Sequence, residues 1–244
     1  MKLFGFSLSE VLIALVIIGI VAAVSVPVIN STQDLTERVS RINNAYSVLS
    51  SAVDAANGYD AGFGFGAVGS SSSTEATTRW FELFLKPYIH TTKVCYQEKG
   101  CWNSMGCVLR YGGANQCLNA NKAFPNNGNN NSKGMGNNSL TAILNDGTFI
   151  CVNIPSDSNG TKMDGYPAVS GKLRVHLYFD INGDKGPNML GEDVFLLYWN
   201  PSTYELLPAY GGKSNAEIDK FCGGGGDGNV AFDGYSCIMK YLKT

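Results

Sequence analysis

The sequence predicts an α+β fold in which one long N-terminal helix packs on an antiparallel β-sheet. Three observations carry this expectation. Residues 6–29 form an apolar stretch led by Phe6. Beyond Pro27, apolar residues recur at Leu35, Val39, Ile42, Tyr46, Leu49, Val53 and Ala56, in steps of four and three. Between residues 140 and 199, short apolar runs alternate with turn residues. The second pattern is one face of an amphipathic helix, and the third is that of strands joined by tight turns.

The helix is expected over residues 6–57, membrane-spanning in its first half (6–29), because a crossing needs about 20 mainly apolar residues. It stops at Asn57-Gly58, a helix-ending pair. Glu10 sits near the amino end of the apolar stretch. A carboxylate there costs roughly 2.5–3.5 kcal/mol on insertion scales, and intramembrane carboxylates pair with positive groups. The residues before it, Met1 to Gly5, are too short for an ordinary secretory signal. A cleavage at Ala22-Ala23, or an uncleaved anchor oriented by Lys2, would explain the apolarity but not Glu10. Pro27 lacks an amide hydrogen, so it is expected to kink or locally melt the helix. The stripe from Leu35 to Ala56 also fits a short heptad pattern. Packing against the chain's own sheet is the expectation, since few charge pairs flank the stripe.

Lys2, Gly5, Phe6-Ser7-Leu8-Ser9-Glu10 and the run to Pro27 resemble the N-terminal signature of type IV prepilins and type II secretion pseudopilins. The resemblance implies a leader over residues 1–5, removed by a prepilin peptidase after Gly5, and N-methylation of the new terminal Phe6. It gives Glu10 the task of meeting the free amine of a neighbouring subunit during assembly. At Pro27 it implies a loosening that lets subunits slide into a filament. The partners it implies are other copies and other pilins or pseudopilins, the peptidase, an inner-membrane assembly platform and membrane lipid. The location it implies is a single pass of the bacterial inner membrane with a periplasmic or extracellular soluble domain, then a pilus or pseudopilus.

Residues 58–244 are long enough to form one globular domain. The chain has 29 Gly, 16% charged residues and a formal net charge of −2, with no basic stripe for nucleic acid. Residues 58–73 read as a connector, and 78–89 as a short helix carrying Trp80, Phe81, Phe84 and Leu85 on one face. Residues 112–139 are rich in Asn, Gly and Ser and read as a surface loop, too polar for a core. Strands are expected at 140–144 and 148–154 around Asn145-Asp146-Gly147, at 173–179 as a half-buried alternating strand, and at 194–199. An antiparallel sheet over 140–199, laid on the long helix, follows.

Asp180, Asn182, Asp184 and Asp193 place oxygen donors between the last two of these strands, as a hard cation such as Ca²⁺ requires. The spacing is not that of an EF-hand, and a polar turn with the aspartates bonded to nearby amides is the alternative. The resemblance adds that several major pseudopilins carry Ca²⁺ in a sheet loop. No other cofactor is expected. The seven cysteines leave at least one thiol over. The resemblance implies a disulfide between Cys222 and Cys237, which bracket a Gly-rich segment in the C-terminal region as in many pilins. The pairing of Cys95, Cys101, Cys107 and Cys117 is open, and their spacing lacks the short pairs of a zinc site. The two histidines, His90 and His176, stand outside any catalytic motif. A structural filament subunit is therefore expected rather than an enzyme. The alternative is a membrane-tethered module whose Tyr-, Trp- and Asn-rich loops bind glycan or a surface protein.

Overall fold

The computed structural model describes residues 8–60, 73–102, 108, 135, 138–155, 164–170, 172–222 and 234–242, without the side chains of 21–33 and 59–60. The chain divides into two compact units, residues 1–40 and residues 41–244. Helix α1 runs Leu8–Asp60. The strands are β1 (Thr91–Tyr96), β2 (Leu140–Leu144), β3 (Phe149–Asn153), β4 (Val175–Asp180), β5 (Val194–Trp199) and β6 (Leu206–Pro208). Helices α2 (Thr74–Phe84), α3 (Asn215–Cys222) and α4 (Ile238–Tyr241) complete the described elements.

In the first unit, α1 exposes Leu8, Val11, Leu12, Ile13, Leu15 through Ile18 and Ile20, each between 46% and 82%. Consecutive exposed apolar positions put hydrophobic surface on every side of the helix, a surface that globular helices do not leave uncovered. The helix assignment continues through Pro27. Among the described residues, no helix is long and apolar enough to cross a membrane. Phe6 and Ser7, which open the expected crossing segment, lie outside the described residues.

In the second unit, the six strands form one antiparallel meander in chain order, β1 to β6. The pairings Ala142 with Ile150, Ile150 with Phe179, and Phe179 with Phe195 align one face of the sheet. The continuation of α1 covers that face with Ile42, Ala45, Leu49, Ala52, Val53 and Ala56, while α2 adds Trp80, Phe81 and Phe84. Full burial of a side chain such as Leu49 contributes about 1.5–3 kcal/mol. The stripe is therefore buried from Ile42 onward, with Tyr46 partly so, whereas Leu35 is exposed.

The opposite face departs from expectation. The alternation in residues 173–179 predicts one face of β4 open to water, yet β3, β4 and β5 are buried at every position. Trp102, Val108, Met135, Tyr210 and Tyr235 cover Phe149, Cys151, Tyr178 and Leu196 from connecting segments. Met135 and Ser139 are buried, so the end of the Asn- and Gly-rich segment is not the surface loop its composition predicts. Its residues 112–134 lie outside the described residues. Two edge strands escaped the sequence reading. β1 is polar on its exposed positions, and β6 is three residues long and ends at Pro208. Helix α2 starts earlier than the predicted 78 because Ser73 caps it, its Oγ accepting from the Ala76 amide at 3.0 Å.

Candidate functional site

The N-terminal determinants are only partly described. Gly5 and Phe6, the expected cleavage and methylation positions, lie outside the described residues. Glu10 is in the first turn of α1 and exposed, among the uncovered apolar residues noted above. An acidic group at a helix N-terminus is favourable toward the positive end of the helix dipole.

The 180–193 connection brings three of its four candidate oxygen donors together. Asp180, at the end of β4, accepts at Oδ1 from the amides of Asn182 (3.1 Å) and Gly183 (3.0 Å). Asp193 accepts at Oδ2 from the Asn188 amide (2.8 Å) and Asn182 Nδ2 (3.2 Å), and at Oδ1 from the Met189 amide (2.5 Å). Asn182 Oδ1 is buried without a donor. Asp184 is exposed and bears on the cluster through its charge. Burial, followed by the charge of Asp193, pushes the Asp180 carboxyl up to about 8, and burial also raises Asp193. The loop thus gathers two buried carboxyl groups and an amide oxygen, and Gly183 is needed in it. Its φ is +63°, and a Cβ there would meet the Phe149 ring at 3.1 Å. Among the described residues, no three His, Cys, Asp or Glu side chains gather as a metal set. Any cation here would need Asn182 Oδ1 and backbone carbonyls beside the two buried carboxylates, a donor set that fits an oxygen-seeking ion.

This loop lies against two other segments. The Arg41 guanidinium of α1 donates to the Ile181 carbonyl at 3.2 Å. On the other side, the Tyr241 hydroxyl donates to the Gly191 carbonyl at 3.4 Å. Cys222 and Cys237 are joined by a disulfide that closes a separation of 15 residues. A closure of that length contributes on the order of 3 kcal/mol in the chain-entropy account. Cys95 and Cys101 form a second disulfide, settling part of the pairing that spacing left open. Cys107 and Cys117 lie outside the described residues.

Cys151 is the free cysteine among the described residues. It accepts from the Met135 amide at 3.0 Å, and burial pushes its thiol up to about 12. Since the thiolate is the reactive form, Cys151 is expected to stay unmodified by iodoacetamide at pH 8 in the folded protein and to be alkylated in guanidinium. Peptide mass spectrometry reads the difference. Native-state alkylation at Cys151 would show that the site opens.

The structure also assembles a cluster that the sequence did not announce. Asp164 Oδ2 accepts from Arg174 Nη1 and lies 2.8 Å from His176 Nε2, with all three residues buried. The Tyr166 amide donates to Asp164 Oδ1 at 2.9 Å, and Arg174 stacks 5.0 Å over the Tyr198 ring. His176 is therefore a packed histidine, its Nδ1 buried with no partner. The available signal is Arg174 and His176 two residues apart at the start of β4. Two polar groups on a strand face that is itself buried require a carboxylate from elsewhere.

No curated protein matches the chain, and no solved structure does. Residues 3–26 match the family model of the prokaryotic N-terminal methylation motif. The segment holding Gly5, Phe6, Glu10 and the apolar start of α1 is thereby identified: the chain carries the prepilin-type signature of the type IV pilin and pseudopilin family.

Proposed function

We propose that the protein is a structural subunit of a type IV pilus or type II secretion pseudopilus, cleaved after Gly5, N-methylated at Phe6 and polymerised through α1. The N-terminal motif over residues 3–26 carries this reading. The uncovered apolar surface of α1 supports it, because such a surface is stable only in lipid or against other apolar helices. The precursor is held in the inner membrane by the apolar segment 6–29, and the same segment then moves into the filament core. Its partners are further copies or other pilins, the prepilin peptidase, the assembly platform and lipid. Glu10 keeps its charge at low cost by facing the amine that cleavage creates on a neighbour. The processing step is tested on protein recovered from cells that contain a prepilin peptidase. The N-terminal peptide is expected to begin at N-methylated Phe6, and a terminus at Met1 or after Ala23 would remove the reading.

A second reading concerns the loop between β4 and β5 and is favoured by the buried, donorless Asn182 Oδ1 beside Asp180 and Asp193. We propose Ca²⁺ as its occupant, held by Asp180, Asn182 and Asp193 with Asp184 at the rim. Bound cation would neutralise two buried carboxylates and tie β4 to β5; it takes no part in chemistry. Titration calorimetry with Ca²⁺ is expected to show saturable heat and a raised melting temperature. Absence of both would exclude the site.

A further inference from the structure

We infer that the Cys222–Cys237 disulfide is the rear wall of the 180–193 loop, so that the bond and the loop's cation affinity are thermodynamically coupled. The contact is at Gly191, three residues after Asn188 and two before Asp193. A Cβ on Gly191 would lie 2.7 Å from Cys237 Sγ, 2.9 Å from Cys237 Cβ and 2.9 Å from the Gly234 carbonyl oxygen. Gly191 also has φ of +86°, a conformation that glycine adopts without strain. The loop backbone therefore lies directly on the bridge, at a distance no side chain permits.

The neighbouring bonds turn this contact into a clamp. The Gly191 amide donates to the Val194 carbonyl at 2.8 Å, which closes the loop onto the start of β5. From the C-terminal side, the Tyr241 hydroxyl donates to the Gly191 carbonyl, and the Tyr241 ring meets Phe195 of β5 edge-on at 5.6 Å. The Gly234 amide donates to the Phe221 carbonyl at 2.8 Å, fixing the segment that carries Cys237 to α3. The same loop turn presents the Asn188 and Met189 amides to Asp193. Loss of the bridge leaves this segment tied to α3 only by the Gly234 amide and by the Ser236 hydroxyl, which donates to the Ile218 carbonyl at 2.6 Å, and so loosens the wall that holds Gly191 in place. The Asp193 carboxylate then loses its fixed position, and so does a cation bound beside it. Because coupling between two sites is reciprocal, a bound cation also protects the disulfide.

The clamp itself needs no metal; its effect on affinity rests on the calcium reading above. The test uses the full chain in detergent micelles. Reduction by dithiothreitol breaks the Cys222–Cys237 bond, placing two electrons and two protons on the sulfurs while the reagent closes to its own cyclic disulfide. In chelator, reduction is expected to speed hydrogen exchange at the Asn188, Met189 and Gly191 amides about tenfold or more. With calcium chloride, it is expected to weaken binding by about tenfold, within the range usual for coupled sites. Saturating calcium is expected to slow reduction of this bond. A Cys222→Ser/Cys237→Ser variant should behave as the reduced protein does, and a Cys95→Ser/Cys101→Ser variant should leave the loop unchanged. Unaltered exchange in chelator after complete reduction overturns the clamp. Calcium binding with equal affinity in both redox states overturns the coupling. Faster exchange on reduction, with no calcium heat in the oxidised protein, supports the clamp and removes the calcium reading alone.

Discussion

A Glu10→Val variant is expected to lose filament assembly while its second unit stays folded. Valine preserves the apolar helix and removes only the charge, so insertion into a bilayer becomes easier rather than harder. On the function proposed above, what is lost is the carboxylate available to a neighbour's terminal amine in a water-poor core. Truncating one member of a buried interfacial charge pair costs about 2–5 kcal/mol, because the other charge stays buried and unmatched. Repeated at every subunit contact, a penalty of that size leaves no polymer. The core from Ile42 onward contains no part of the change, so circular dichroism and the melting temperature should match the parent protein. Sheared-filament preparations viewed by electron microscopy provide the readout. Normal filaments from the variant would remove the assembly role. A tethered binding module would tolerate the substitution, so the experiment also separates the two functional classes.

An Asp164→Ala variant is expected to be strongly destabilising to the second unit. The carboxylate accepts from Arg174, His176 and the Tyr166 amide inside the protein. Its removal leaves the Arg174 guanidinium, only 3% exposed, without a counter-charge. Breaking a buried pair in this way costs about 3–5 kcal/mol. For a unit of this size, that corresponds to a drop of about 10 °C in melting temperature. The Lys240–Asp219 pair is the natural comparison. Its groups are 2.9 Å apart but both well exposed, so water and salt screen it and its loss should leave the melting temperature near the parent value. Equal melting temperatures for the Asp164→Ala variant and the parent would show that the cluster is not a structural tie.

The sequence disclosed what depends on periodicity. The steps of the stripe from Ile42 to Ala56 gave the buried face of α1, and the alternation of Leu177 and Phe179 gave the inward face of β4. It did not disclose what depends on distant covering. Nothing in the residues 173–179 says that Tyr178 will be covered together with Leu196 by Tyr235, because that partner comes from another part of the chain. Polar members of the strand then read as solvent-facing when they are buried and paired. The same limitation hid Asp164, an acid ten or more residues from the strand positions it pairs with. At the N-terminus the balance is reversed. Glu10 was conspicuous in the sequence because a charge in an apolar run has few inexpensive explanations. The donors at 180–193 were legible as residue types, while their wall, Gly191 against Cys237, required the fold.

Among the described residues the sheet has two border strands, β1 and β6, and both are unattractive to a further strand. At one, β1 carries an irregularity in register between Thr91 and Lys93, and the Cys95–Cys101 bridge turns the following residues back beside it. Lys93 reaches across to the Gly100 carbonyl at 3.4 Å. At the other, β6 is three residues long and closes on Pro208, which has no amide hydrogen to offer. Short, bulged, charged or proline-ended borders are how sheets avoid joining one another. A chain proposed to polymerise through its helix is thereby kept from polymerising through its sheet, so that crowded subunits have one way to associate and not two.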